Sequence, residues 1–408
     1  MSRIVLGVCA GIAAYKACSL LRLLREAGHE VEVVPTRNSL EFVGAATWAA
    51  LSGRPVHTGV FDAPDLVDHV RIGREADLVI VAPATADLLA RAAAGRADDL
   101  LTATLLTASC PVVMAPAMHT EMWRHPATRA NVDLLRSRGV AVVPPGVGRL
   151  TGPDSGPGRL PEPEDLYATA TALLADPGLA ARLAAQDLAG LKVAVSAGGT
   201  HEPLDPVRFL GNASSGLMGI GIARAAVQRG AEVTLVGANL ATATPAGVDV
   251  LGVRSTAELA TAMDQASADA DIVVMAAAPA DFTPARPSGT KLKKTGDAGL
   301  VVEFAQTTDV LAALAAHRRP GQVVVGFAAE TAAGRAELLA LGTAKLARKG
   351  CQLLVLNDVS GGAVFGDHDN SVTIIGASGV VVSAEGPKTS VGHTILDAAM
   401  SIREGERP

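Results

Sequence analysis

The sequence predicts an α/β protein built from two consecutive doubly wound, Rossmann-like domains, and three observations lead there. Short continuous apolar runs alternate with Ala/Leu/Arg-rich stretches from end to end, the pattern of parallel sheets covered on both faces by helices. A Pro- and Gly-rich segment interrupts the alternation once, after which it begins again. The 408 residues suffice for two domains of ordinary size.

In the first domain strands are expected at RIVLGVC, EVEVVP, ADLVIVAP, PVVMAP and VAVVP, with helices between them. Arg3 followed by IVLGVCAGIAAY imitates a short signal peptide, but Lys16 and a helical pattern running to Gly28 read as a first strand and helix. Between Pro144 and Pro163 six prolines and five glycines share twenty residues, which no helix or central strand accommodates. A loop this long is functional or a linker. Helical pattern resumes to about Ala189, so the domains are expected at 1–189 and 190–408. KVAVSAGGT opens the second series, AEVTLVG, DIVVMAAAP, QVVVGFAAE and QLLVLND continue it, and SVTIIG with VVVSAEG closes it as a hairpin.

Composition excludes several classes of function. Apolar residues make up 49% and charged residues 19%, too little charge for a disordered chain. A net charge of −6 argues against a protein that coats nucleic acid. The apolar runs are broken by Gly, Pro or charge well before the ~20 residues a membrane span needs. Cys9, Cys18, Cys110 and Cys351 form no Cys-x-x-Cys pair and read as reduced thiols of a cytoplasmic protein.

In doubly wound sheets ligands sit beyond the carboxyl ends of the strands, and the candidate motifs fall there. In the second domain Ser196-Ala-Gly-Gly-Thr200 follows a strand, and Asn212-Ala-Ser214-Ser215-Gly216 then offers capping oxygens and free N–H donors, the parts of an anion cradle or of a plain helix cap. Next, Met275-Ala-Ala-Ala-Pro-Ala-Asp281 ends a strand in small residues and an acid, and Lys291-Leu-Lys293-Lys294 follows in a loop. A charge run is usually a solvated face. Here an acid able to hold Mg²⁺ stands before phosphate-binding lysines, a common nucleotide arrangement.

The strings AGGTHEPLDPVRFLGNASSGLMG, AAAPADF, KLKK, VGFAAET and LNDVS, in this order over about 191–400, resemble the phosphopantothenate–cysteine ligase half of the bacterial bifunctional coenzyme A biosynthesis family. The resemblance implies a CTP-dependent ligase: CTP activates the carboxylate of 4′-phosphopantothenate as an acyl-cytidylate, and the cysteine amine displaces CMP. It implies that Asn212 handles the cytidylate and that Ser214, Ser215 and Gly216 bind substrate. Lys291 would contact the triphosphate, and Asp281 would hold Mg²⁺. Ala277, Thr308, Asp309, Val310, Leu311, Phe327, Lys345 and Lys349 would complete the CTP site. The family's Asn-Pro-Asp-Ile reads Thr307-Thr308-Asp309-Val310 here.

In the first domain, Gly11-Ile12-Ala-Ala-Tyr15-Lys16 and Pro35-Thr36-Arg37-Asn38-Ser39 follow the first two strands. Pro83-Ala84-Thr85 follows the third, and Pro116-Ala-Met118-His119-Thr-Glu-Met122-Trp123 the fourth. A lone histidine such as His69 is more often structural than catalytic. Together over about 1–180 these strings resemble the flavin-containing cysteine decarboxylases, specifically the phosphopantothenoylcysteine decarboxylase half of the same family. The resemblance implies a flavodoxin-like domain that binds FMN between subunits of a trimer. The flavin oxidises the substrate thiol, the thioaldehyde lets CO₂ leave, and the electrons return to the enethiol. His69 matches the essential histidine; Gly11, Ile12, Thr36, Ser39, Pro83, Ala84 and Thr85 fall in the FMN site, and Met118, His119 and Arg159 in the substrate site.

Two departures stand out. The family's Asn after the Pro-x-Met is His119, and the proton-donating Cys of the clamp, in 144–163, is Thr151. A hydroxyl is a far weaker acid than a thiol, which leaves Asp154, a protonated His69 or water as donors. The family also implies ligase dimers, hence a dodecamer with the flavin-domain trimers. Three other readings stay open: an active ligase with a degenerate flavin half, a pyridine-nucleotide oxidoreductase, and a noncatalytic flavoprotein scaffold. The lack of a clean G-x-G-x-x-G opposes the oxidoreductase, and a surviving triphosphate site opposes the scaffold.

Overall fold

The structure is a computed structural model, and it describes residues 1–60, 67–150, 154–293, 299–359 and 369–405. The chain forms two compact units, Met1–Asp187 and Leu188–Pro408.

The first unit is a parallel sheet of β1 (Arg3–Val8), β2 (Glu30–Pro35), β3 (Leu78–Ala84), β4 (Val112–Pro116) and β5 (Ala141–Val142), in the order β2-β1-β3-β4-β5. Alternate side chains of β1 leave the sheet on opposite faces, as the two-residue period of a strand requires. Ile4, Leu6 and Val8 pack with Leu20, Leu24 and Trp48 on one face; Val5 packs with Val79, Val81 and Leu88 on the other. Burial on both faces is why these strands read as unbroken apolar runs. Strand order reverses between β1 and β3, which leaves a crevice at their carboxyl ends.

The segment 144–163, expected as a loop, contains an antiparallel pair, β6 (Gly146–Arg149) and β7 (Ser155–Arg159). A two-stranded pair has only edges, so Pro157, without an N–H, is tolerated in it. The tip of the hairpin, including Thr151, lies outside the described residues.

The second unit contains β8 (Lys192–Gly198), the short pair β9 (His201–Pro203) and β10 (Phe209–Gly211), β11 (Glu232–Ala238), β12 (Val248–Val253), β13 (Ile272–Met275), the short pair β14 (Phe282–Pro284) and β15 (Phe304–Gln306), β16 (Val323–Glu330), β17 (Leu353–Asp358), β18 (Asp369–Gly376) and β19 (Gly379–Pro387). The main sheet runs β12-β11-β8-β13-β16-β17-β18-β19, with the last two strands antiparallel. The closing hairpin is the expected one. Strand β12 and the two short pairs were not expected: β12 is an exposed edge, and each short pair has only its own partner strand. Strand order reverses again, between β8 and β13. Among the described residues no helix is long and apolar enough to cross a membrane.

Candidate functional site

At the carboxyl ends of β8 and β13 the chain closes around a cavity of about 810 Å³, a size that suits a nucleotide-sized ligand. The turn after β8 needs glycine at 199, where a Cβ would lie 2.5 Å from the carbonyl oxygen of Asn212. That close approach brings Asn212 over the strand ends, and its Nδ2 donates to Pro279 O at 2.8 Å, joining the two loops. Ser214, Ser215 and Gly216 line the cavity where helix Leu217–Gln228 begins. Gly216 at its N-cap has no side chain to cap it; the Gly216 and Leu217 N–H groups donate to the Ser214 and Ser215 hydroxyls at 3.4 and 3.5 Å, long bonds that an anion at this helix start could replace.

The opposite wall comes from β13, β16 and the helices beyond. Ala277, Asp281, Thr308, Asp309, Val310, Leu311 and Phe327 all line the cavity, as do Lys345 and Lys349. Thr307 holds the Asp281 loop in place, its N–H donating to Asp281 O at 3.0 Å and its hydroxyl to Ala280 O at 2.7 Å. Asp309 caps helix Val310–Ala316 by accepting from the Ala312 N–H at 3.1 Å, and pairs with Lys349. Burial pushes the Asp309 carboxyl up, but the Lys349 ammonium and the Ala312 N–H outweigh it and hold the carboxyl below the ordinary carboxylate range. Lys345 reaches Glu330 at 2.8 Å.

Lys291 is exposed and does not line this cavity, so the structure does not bring it together with the other expected residues. Its segment is nonetheless anchored. The buried Asp205 accepts from the Val207 N–H, the Arg208 guanidinium and N–H, and the Leu292 N–H. These bonds outweigh the upward push of burial and hold the Asp205 carboxyl well below the ordinary range. Lys294 lies outside the described residues. Sequence reasoning missed Arg348, Asn357, Asn370 and the buried Lys388, which also line the cavity.

In the first unit, hydrogen bonds gather three turns at the strand ends. The Cys9 N–H donates to Pro83 O at 3.2 Å, and the Ala117 N–H to Ala84 O at 3.1 Å. The turns carrying Gly11 and Ile12, Pro83 to Thr85, and Met118 with His119 are therefore neighbours. Helix Ala14–Glu26 starts without a side-chain cap, and Gly11 has open space where a Cβ would stand. Thr36 and Ser39 are buried after β2, the Ser39 hydroxyl donating to Thr36 O at 2.7 Å. Thr85 caps the next helix through the Leu88 N–H at 3.3 Å.

The β6/β7 hairpin rests on the turn after β4. The Met118 N–H donates to Gly158 O at 2.9 Å, and a Cβ on Gly158 would stand 2.2 Å from Met118 O, so only glycine permits this contact. His119 Nδ1 lies 3.6 Å from Asp154 Oδ2. Arg159 pairs with Glu162, which also takes Lys16 at 2.8 Å. His69 is the second residue of helix Asp68–Glu75, within which Arg71 pairs with Asp68 at 2.9 Å and which Arg71 ties to Glu32 at 3.0 Å. The residue before that helix, Val67, has φ +46, a strained conformation for a β-branched side chain. The His69 Nδ1 is buried without a hydrogen-bond partner among the described residues.

Residues 1–175 match the family model described as Flavoprotein, and residues 188–402 the model described as DNA/pantothenate metabolism flavoprotein C-terminal domain. The chain is 53% identical to the coenzyme A biosynthesis bifunctional protein CoaBC of Mycolicibacterium smegmatis, over 99% of this chain and 98% of the relative. It is 51% identical to the protein of that name from Mycobacterium tuberculosis, over 99% and 97%. The Vibrio cholerae protein of that name is 40% identical over 92% of each chain. Both halves are matched and the relatives extend over almost the whole chain, so it belongs to the family of bifunctional coenzyme A biosynthesis proteins.

Proposed function

We propose that the second half joins 4′-phosphopantothenate to L-cysteine at the expense of CTP, and that the first half decarboxylates the resulting phosphopantothenoylcysteine to 4′-phosphopantetheine with FMN. The observation that carries the ligase reading is the cavity at the β8/β13 reversal, where Asn212, Asp281, Lys345 and Lys349 share one wall-to-wall space. A carboxylate is a poor electrophile, so amide formation needs a leaving group, and cations must neutralise the departing pyrophosphate. Lys345, Lys349 and Arg348 can supply charge from one helix. Mg²⁺ held by Asp281 and the substrate phosphates needs no larger protein cage. Asn212 would orient the acyl-cytidylate, and Lys291 would contact the triphosphate from its anchored segment.

In the first half, the open turn at Gly11 before helix Ala14–Glu26, with Thr36 and Ser39 after the neighbouring strand, suits the FMN phosphate. The Pro83–Thr85 turn suits the ring. When bound, FMN supplies the two-electron oxidation of the substrate thiol and its later reversal. His119 and Arg159 would hold the substrate carboxylate, with Met118 and the hairpin excluding water, and His69 would move the thiol proton. Exposed Ile12, Tyr15 and Phe42 in the first unit, and Phe209, Phe282 and Phe304 in the second, suit burial by further copies. A dodecamer of trimers and dimers in the cytoplasm is part of this reading.

The test is product mass spectrometry on pure protein with 4′-phosphopantothenate, cysteine, CTP and Mg²⁺, beside a Lys291→Gln control. 4′-Phosphopantetheine is expected from the natural chain and none from the control. A reaction that stops at phosphopantothenoylcysteine would overturn the reading of the first half.

A further inference from the structure

His119 stands in the turn after β4, and the β6/β7 hairpin is docked on that turn. The anchor is the bond from the Met118 N–H to Gly158 O, with the close approach at Gly158. Asp154 is fixed at the base of the hairpin tip, its carbonyl accepting from the Leu150 N–H at 2.9 Å. Its carboxylate stands 3.6 Å from His119 Nδ1, beyond hydrogen-bond distance but close enough to attract the charged ring, and Nε2 is on the other side of that ring. The His119 side chain is half exposed, so that edge is accessible.

The chemistry says where a proton is needed. When CO₂ leaves next to a thioaldehyde, the electron pair of the broken C–C bond forms an enethiolate, and the nucleophilic carbon is the one that bore the carboxylate. Regaining the thiol takes a hydride at the carbon bearing sulfur and a proton at the carbon that lost CO₂. The group that held the carboxylate is therefore beside the atom to be protonated. An amide there can hold a carboxylate but has no proton to give, whereas an imidazolium can do both.

Resting on the decarboxylase reading above, we propose that His119, oriented by Asp154, is the proton donor of the first half, so that a thiol at position 151 is not required. The His119 Nε2–H bond breaks as the substrate C–H bond forms, and the neutral imidazole regains its proton from solvent. The hydride is the electron pair the substrate thiol gave up earlier, so no outside reductant enters.

The test uses the full-length FMN holoenzyme with phosphopantothenoylcysteine, following CO₂, product mass and flavin absorbance together. His119→Asn keeps a carboxylate-holding amide. It should release CO₂ for a single turnover, accumulate a product lacking two hydrogens relative to 4′-phosphopantetheine, leave the flavin bleached, and slow thiol formation by about 10²-fold or more. His119→Asn/Thr151→Cys should relieve the stall. Asp154→Asn should give an intermediate fraction of the dehydro product. FMN retained in all three reports folding of the first half. Thiol product from His119→Asn at the natural rate overturns the proposal. So does loss of CO₂ release in that variant, which would assign His119 to the earlier step. A natural chain that releases no CO₂ overturns the decarboxylase reading itself.

Discussion

The two halves share one device, a reversal of strand order that opens a crevice at strand carboxyl ends, yet they build different sites from it. In the second half residues from both sides of the reversal line a half-open cavity of about 810 Å³. In the first, the turns form a shelf on which Ile12 and Tyr15 stand exposed, and the cover is a hairpin rather than the body of the domain. A cleft lined from both sides can hold a highly charged ligand against fixed cations. A shelf suits a flat ring that another surface covers. Changes in one half should therefore leave the other's chemistry intact, and that independence is open to attack.

The largest effect is expected at Asp281, the acid at the carboxyl side of β13. If Asp281 holds Mg²⁺ as proposed, Asp281→Asn should lower the ligase rate by about 10²-fold or more, with decarboxylation of added phosphopantothenoylcysteine unchanged. Parallel loss of both activities would break the comparison. Next is Gly199→Ala. Its Cβ would meet Asn212 O at 2.5 Å, so Asn212 must move, and a displacement of about 1 Å at a positioning group costs on the order of 10²-fold. A ligase assay at saturating CTP reads it. The corresponding change in the first half is Gly158→Ala, which pushes the hairpin off Met118. Decarboxylation should fall about tenfold or more by the same positioning argument, while ligation holds.

What was legible in the sequence followed from periodicity and from strand ends. The β1, β3, β13 and β16 strands are apolar because both faces are covered, and Asn212, Asp281 and Phe327 stand in strings at or just beyond strand ends. Lys345 and Lys349 were legible from the resemblance, and Arg348 lies one helical turn from Lys345, so the i,i+3 spacing could have found it. Asn370 and Lys388 were not legible, because they reach the cavity from the last strands and helix through contacts no local pattern encodes. The β6/β7 hairpin was hidden for a related reason. With no covered face, its strands need no apolar alternation, and their glycines answer to the neighbouring Met118 turn. Lys291 sits in an anchored loop whose backbone bonds to Asp205 and Arg208 depend on tertiary contact.

The smallest effect separates cavity electrostatics from cavity shape. Asp309→Asn keeps the cap on helix Val310–Ala316, since Asn caps as well as Asp, but removes the charge that pairs with Lys349. The Asp309 carboxyl is held below its ordinary range in the folded chain. Its charged form is therefore favoured by folding, and the stabilisation is full above the unfolded-state value of ~4. It fades as pH falls through the lower folded value. The natural chain should exceed the variant by at most about 1 kcal/mol at pH 7, because the pair is partly exposed and screened. That gap should narrow on acidification. Thermal unfolding of the two proteins from pH 7 downward measures it, and a gap that widens toward acid would mean that Lys349 is held by something other than Asp309. In the first half the same substitution should change neither flavin retention nor decarboxylation, because Asp309 lines the cavity of the second half.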